Sequence, residues 1–161
     1  MSIRVQALTQ AAEGRYLTQD ERKALRDYAA SVPSRLNAAE SIEAAESDVL
    51  NRVVDEMRKR HPNFATHREQ PWARLFRDVQ LVLRTCTHAV VCDDVRLLDE
   101  RVLYWLRSVA AAAGVPTSFQ NDCYSLLRDV CASKLSSSDF AMLKPMLDRA
   151  AAVLGSDELQ S

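Results

Sequence analysis

The sequence predicts an all-α fold, and three observations carry that prediction. Glycine occurs only at 14, 114 and 155, each where a helical pattern stops. Alternating apolar and polar runs and Asn-Gly turns, the marks of strands and hairpins, are missing from the sequence. Apolar residues instead fall on helical spacing, as in the stripe Ile42, Val49, Val53 and Met57.

Taken in order, a first helix is expected over about 3–12. After Gly14, "LTQDERKALRDYAA" begins with a capping-box arrangement of Thr18 and Glu21. Pro33 either opens a new helix or breaks a longer one. The following helix ends in Arg58, Lys59, Arg60 and His61, cations suited to the negative end of its dipole. A loop with Pro62 and Pro71 leads to a helix over 72–92. Others follow at about 97–113, 116–134 and 138–154. Ser136–Ser138 supply a turn and an N-cap, and Pro145 predicts a kink or break in the last helix. Without repeats or a dividing linker, residues 1–161 read as a single domain. Six to eight helices fit either a globin-like packing or an irregular bundle, and periodicity does not choose between them.

Composition narrows the function classes. An apolar content of 47% over 161 residues is enough for a substantial core. A formal net charge of −1 gives no general pull toward nucleic acid or an anionic membrane. No stretch is long and apolar enough to span a bilayer, and no secretory h-region begins the chain, so a cytoplasmic location is expected. Cys86, Cys92, Cys123 and Cys131 form no CxxC pair and lie within helical patterns; they read as small buried apolar residues, not as metal ligands. His61 and His67 flank a loop and share no metal-ligand spacing with His88. Neither a nucleophile–base pair nor a phosphate loop is present, so no catalysis is expected.

The segment "WARLFRDVQLVLR" (72–84) sets the main question. On a helix Arg74, Arg77 and Asp78 share one patch, with Leu81 one turn on. One reading is an exposed face with an ordinary Arg74–Asp78 pair, worth a few tenths of a kcal/mol. The other is a binding site: guanidiniums match carboxylates in a two-bond fork, and an ionised aspartate accepts from N–H groups.

"EGRYLTQDE" (13–21), "FRDVQLVLRTCTHAVVCDD" (76–94), "LLDERVL" (97–103) and "AGVP" (113–116) resemble the phycobiliprotein family. The pattern runs without a gap from Trp72 to Pro116, and weaker similarity covers about 10–155. The resemblance implies a globin-like helical core preceded by two N-terminal association helices. It also implies binding of a bilin, a linear tetrapyrrole of phycocyanobilin or biliverdin type, with Arg77 and Asp78 as its contacts. Such a ligand carries two propionates and inner pyrrole N–H groups, which suit those two side chains.

Departures from the family pattern refine this reading. Light-harvesting members read Cys-Leu-Arg-Asp-x-x-Tyr-Tyr-Leu-Arg, the cysteine carrying the bilin through a thioether. Here Leu75 stands at that position, and Leu81 and Val82 replace the tyrosines. Ala110 replaces an aromatic before "AGVP", and His88 replaces a tyrosine. Ala11 replaces an aspartate that pairs with the Arg84 equivalent of a partner subunit, a role for which Glu13 is a substitute. The chain thus looks most like the bilin biosynthesis-associated globins, which implies bilin reductase or haem oxygenase as partner enzymes. Leu75 points to noncovalent binding, and an exposed apolar stripe of Ile3, Val5, Leu8, Leu17 and Leu25 outside the globin core, with Ala11, points to a homodimer. Trp72 is a candidate for stacking on a bilin ring, or else a core or loop-packing tryptophan. Of Tyr104 and Trp105, one is expected in the core and the other near the pocket, with Trp105 a candidate contact. The alternatives are a colourless structural or assembly subunit, and a haem-binding or sensor globin with His88 as axial ligand.

Overall fold

The computed structural model describes residues 3–66 and 68–156, all helix, turn or irregular chain. The first helix, α1 (Ile3–Ala11), ends in a turn with Gly14 at φ 82°. The long α2 (Gln19–Arg60) starts with the predicted capping box. The Thr18 hydroxyl accepts the Glu21 N–H at 3.2 Å, and Glu21 accepts the Thr18 N–H at 2.8 Å. Arg15 adds a two-bond fork to the same carboxylate at 2.7 and 2.9 Å.

Pro33 neither opens nor breaks a helix: α2 runs through it. Proline removes the N–H that would bond the carbonyl of Ala29, but Pro33 and Ala29 are both exposed, so water can take the freed acceptor. Pro145 behaves alike. It lies within α7 (Ser137–Leu154), and with Ala141 and Pro145 both exposed the expected break does not occur.

A short 3-10 turn (Pro62–Ala65) leads to α3 (Pro71–Cys92). Pro71 is the first residue of that helix, where its missing N–H costs nothing. Gln70 before it takes a left-handed conformation at φ 45°, unusual for a non-glycine and more so before proline. The helix expected at 97–113 is α4 (Arg96–Leu98), a π-helical turn (Asp99–Leu103) and α5 (Tyr104–Ala112) in succession. The π turn is tied to α7 by Arg149, which donates to both oxygens of Asp99 at 3.0 and 2.9 Å. Gly114, at φ 64°, turns the chain into α6 (Thr117–Lys134). Ser136 caps α7 by accepting the Asp139 N–H, as its position predicted.

The core forms where α2 packs on α3, α6 and α7, and α6 and α3 pack on α7. Ile42, Val49, Val53 and Met57, the stripe read from sequence, are all buried there with Val79, Leu83, Leu127 and Leu147. Burial of this kind gives roughly 1.5–3 kcal/mol per large side chain before the entropy of ordering is subtracted. Cys86, Cys123 and Cys131 belong to this core, and Cys92 is half-buried. A buried arginine closes the far end: Arg35 donates to the carbonyls of Val91 and Tyr28 and stacks 4.4 Å from the Tyr28 ring. Val91 is in the last turn of α3, where a cation meets the negative end of the helix dipole.

Val5, Leu8, Leu17 and Leu25 are half-buried, less open than the exposed stripe expected of them; Val5 and Leu8 line a hollow with Ala24 and Tyr28 of α2. The side chain of Ile3 and all of His67 lie outside the described residues. Among the described residues no helix is long and apolar enough to cross a membrane.

Candidate functional site

The start of α3 borders a cavity of about 510 Å3. Residues 71, 74, 75 and 78 follow helical i, i+3, i+4, i+7 spacing, so Pro71, Arg74, Leu75 and Asp78 present one stripe to it, with Arg77 beside them. The facing wall comes from α5, whose Leu106, Val109, Ala110 and Ala113 repeat the same spacing. Val115, Phe119, Gln120 and Tyr124 close the inner side, and Phe64, Arg68 and Glu69 close the loop side. The result is an apolar chamber with its charge gathered at one edge.

That edge is solvated and weakly paired. Arg77 donates to its neighbour Asp78 at 2.9 and 3.1 Å, and its side chain is 68% exposed against 26% for Asp78. Arg74 lies 3.6 Å from Glu69 and is also mostly exposed. The Arg74–Asp78 pair weighed from sequence is replaced by these two contacts. Arg68 is held differently. Its guanidinium stacks 4.6 Å from the Phe64 ring and donates to the Gly114 carbonyl at 2.7 Å, while its buried Nε has no partner among the described residues. Phe64 in turn stacks on Phe119 at 3.8 Å, which fixes the loop against α6. Burial pushes the Tyr124 phenol well above its usual range, with Cys123 and Asp78 adding to the effect. It is therefore a protonated donor at neutral pH.

Four sequence candidates stand away from this cavity. Trp72 packs 5.6 Å from Phe64 with Arg58 5.7 Å above its ring, so it takes the loop-packing role. Leu81 lies beyond the end of the chamber and is 40% exposed. Trp105 falls just outside the Leu106–Val109–Ala110 stripe and is 56% exposed. Tyr104 is 42% exposed, so neither member of that pair is in the core. His88 is exposed on α3 and does not line the chamber, which leaves the haem alternative without its ligand there. Arg84 is engaged within the chain: it forks onto Glu46 of α2 at 2.7 and 2.9 Å.

The thiols are unsuited to attachment. None of the four cysteines lines the chamber. Burial pushes the Cys123 thiol up to about 12, with the carboxylates of Asp78 and Asp122 contributing, and Cys131 likewise to about 12 by burial alone. Cys86 is raised further. Since the thiolate is the nucleophile, all three are unreactive at neutral pH.

A family model described as phycobilisome protein matches residues 7–154. The chain belongs to the phycobilisome protein family. Its relatives in that family include the allophycocyanin alpha chain of Synechocystis sp., 25% identical over 92% of this chain and 96% of the relative. The allophycocyanin beta chain of Synechocystis sp. is 30% identical over 75% of this chain and 78% of its own length. The allophycocyanin alpha subunit of Picosynechococcus sp. is 26% identical over 88% and 91%. Membership in the phycobilisome protein family accords with the all-α, globin-like fold expected from the motifs around Trp72–Pro116.

Sequence reasoning found Arg74, Leu75, Arg77 and Asp78, all in one segment. It missed Arg68, Phe64, Phe119, Gln120 and Tyr124. The one available signal was Arg68 itself, a cation in the loop leading straight into the site helix. Phe64 lies in the same loop, and Phe119, Gln120 and Tyr124 come from chain far away in sequence and meet α3 only through folding.

Proposed function

We propose that this protein holds a bilin noncovalently, as a carrier or holder associated with bilin biosynthesis and not as an antenna subunit. The observation that carries the reading is the chamber itself: apolar walls, with Asp78, Arg77 and Arg74 together at its edge. A volume of about 510 Å3 lies in the range of small-molecule sites, ~300–1,000 Å3. Its donor set fits the ligand class: guanidiniums for propionates, an acceptor-only carboxylate for pyrrole N–H groups, and apolar side chains for the rings. Arg68 adds a further cation, and its buried Nε, unpartnered among the described residues, is a donor available to a ligand. The bound bilin would supply visible absorption; the chain's part is to hold and orient it and to exclude water.

Leu75 at the position of the attachment cysteine, together with three buried and unreactive thiols, favours a noncovalent complex. A holder that releases its cargo to a bilin reductase or receives it from haem oxygenase is consistent with that. The half-buried apolar face of α1 and the start of α2 supports self-association, and because Ala11 removes the inter-subunit partner of Arg84, a homodimer is favoured over a ring. Sedimentation at tens of micromolar tests this, a monomer counting against it.

Co-expression with haem oxygenase and a bilin reductase tests the main reading. A coloured protein that surrenders its bilin on acid denaturation is expected. Bilin fluorescence retained by the denatured band on a zinc-stained gel contradicts noncovalent binding, and a colourless product favours a structural subunit. A Soret band favours haem.

A further inference from the structure

We propose that the bilin site does not end at the Asp78 chamber but continues across Ala110 into a second cavity, with Gln120 as the residue that reads the ligand where it crosses. This inference rests on the bilin reading of the first chamber.

The second cavity, about 340 Å3, adjoins the first: Ala110, Val115 and Gln120 line both. On the α5 side the shared residue is Ala110, whose side chain is a single methyl. Gln120 stands on the other side, in the first turn of α6, and is 7% exposed. Its backbone N–H bonds the Pro116 carbonyl, but its side-chain amide has no hydrogen-bond partner among the described residues. The amide atoms are not sealed in: they open to the cavities that Gln120 lines, with donor and acceptor available to a ligand. Beyond it, Arg107 lines the second cavity and makes no ion pair among the described residues. A long molecule with polar groups at both ends and a carboxylate on each half matches this layout: acid and guanidiniums in the first chamber, an amide at the crossing, a free guanidinium past it. A linear tetrapyrrole has that shape, and a molecule of half its length does not need the second cavity.

The test compares two ligands on the purified full chain by absorption titration: biliverdin, and a dipyrrinone with one propionate, which has half the length. Arg107→Leu, at a residue that lines the second cavity and not the first, should weaken biliverdin binding by roughly tenfold and leave dipyrrinone binding within about twofold. Gln120→Leu keeps the volume and removes the amide, and should weaken biliverdin by more than it weakens the dipyrrinone. Circular dichroism confirms folding. Unchanged biliverdin affinity in Arg107→Leu or in Gln120→Leu overturns the extended site. Equal losses for both ligands also overturn it, placing the effect in the first chamber. A wild-type chain that binds neither ligand overturns the bilin reading itself.

Discussion

The start and the middle of α3 use the same residue types for different purposes. At its start, among the described residues, Arg77 meets its sequence neighbour Asp78 and Arg74 a loop glutamate, beside a chamber with apolar walls. Ten residues on, Arg84 forks onto Glu46 across the α2–α3 interface, and Gln80 donates to the same carboxylate at 2.8 Å. The second arrangement is complete: each charge has a partner that the fold supplies. The first is open, with donors and an acceptor left facing a cavity. Charge pairs closed across helices serve the fold, and charge left beside an apolar chamber serves a ligand.

That contrast is broken most severely by mutation at the open end. Arg77→Leu should cost bilin affinity about 1.5–3 kcal/mol, the value of a charge-assisted hydrogen bond, or roughly 10–150-fold in Kd. Thermal stability should barely change, since the Arg77 side chain is mostly exposed. Arg77→Lys should restore part of the affinity, because an ammonium lacks the two-bond fork. Calorimetric titration of the three proteins separates these outcomes; a Lys variant equal to wild type would reduce Arg77 to a general positive charge.

At the closed end the effects should reverse. Glu46→Gln should lower stability by about 1 kcal/mol, a Tm shift of about 2–4 °C, with bilin affinity unchanged. The Arg84 fork, foremost, and the Gln80 bond hold the Glu46 carboxyl below its ordinary range. A lowered folded pKa means that the stabilisation is present above the unfolded value, ~4.3, and is lost as pH falls through the folded one. Melting curves of wild type and Glu46→Gln should therefore differ at pH 7 and draw together as pH falls progressively below ~4.3. Glu21, held at about 2 by the Arg15 fork and the Thr18 N–H, contributes with the same sign. The smallest change is expected of His88→Gln, exposed and off the chamber, which should leave affinity and absorption unaltered in the same titration.

The sequence revealed what local chemistry decides. Thr18 and Glu21 form a capping box from four consecutive residues, and Gly14 and Gly114 take the positive φ that ends their helices. The π turn at Asp99–Leu103 was hidden, and it coincides with a contact to Arg149, fifty residues away. Neither proline breaks its helix, because the cost depends on whether water reaches Ala29 and Ala141, a tertiary property. At the site, Arg74, Leu75, Arg77 and Asp78 were legible because one turn of helix holds them together. Trp72 and Trp105 were chosen for aromaticity, yet helix rotation of about 100° per residue placed Trp105 outside the stripe that lines the chamber. Tyr124 and Phe119 reach the chamber only because α6 packs behind it.

The central claim is that the carboxylate at the chamber's edge binds the tetrapyrrole's inner N–H groups. Absorption titration of wild type and Asp78→Leu with biliverdin tests it most directly. The account predicts weaker binding by Asp78→Leu and a shifted absorption band, since the carboxylate favours the protonated chromophore, in a protein that stays folded. Unchanged affinity and spectrum would contradict it and return Arg74, Arg77 and Asp78 to the solvated face of an ordinary helix.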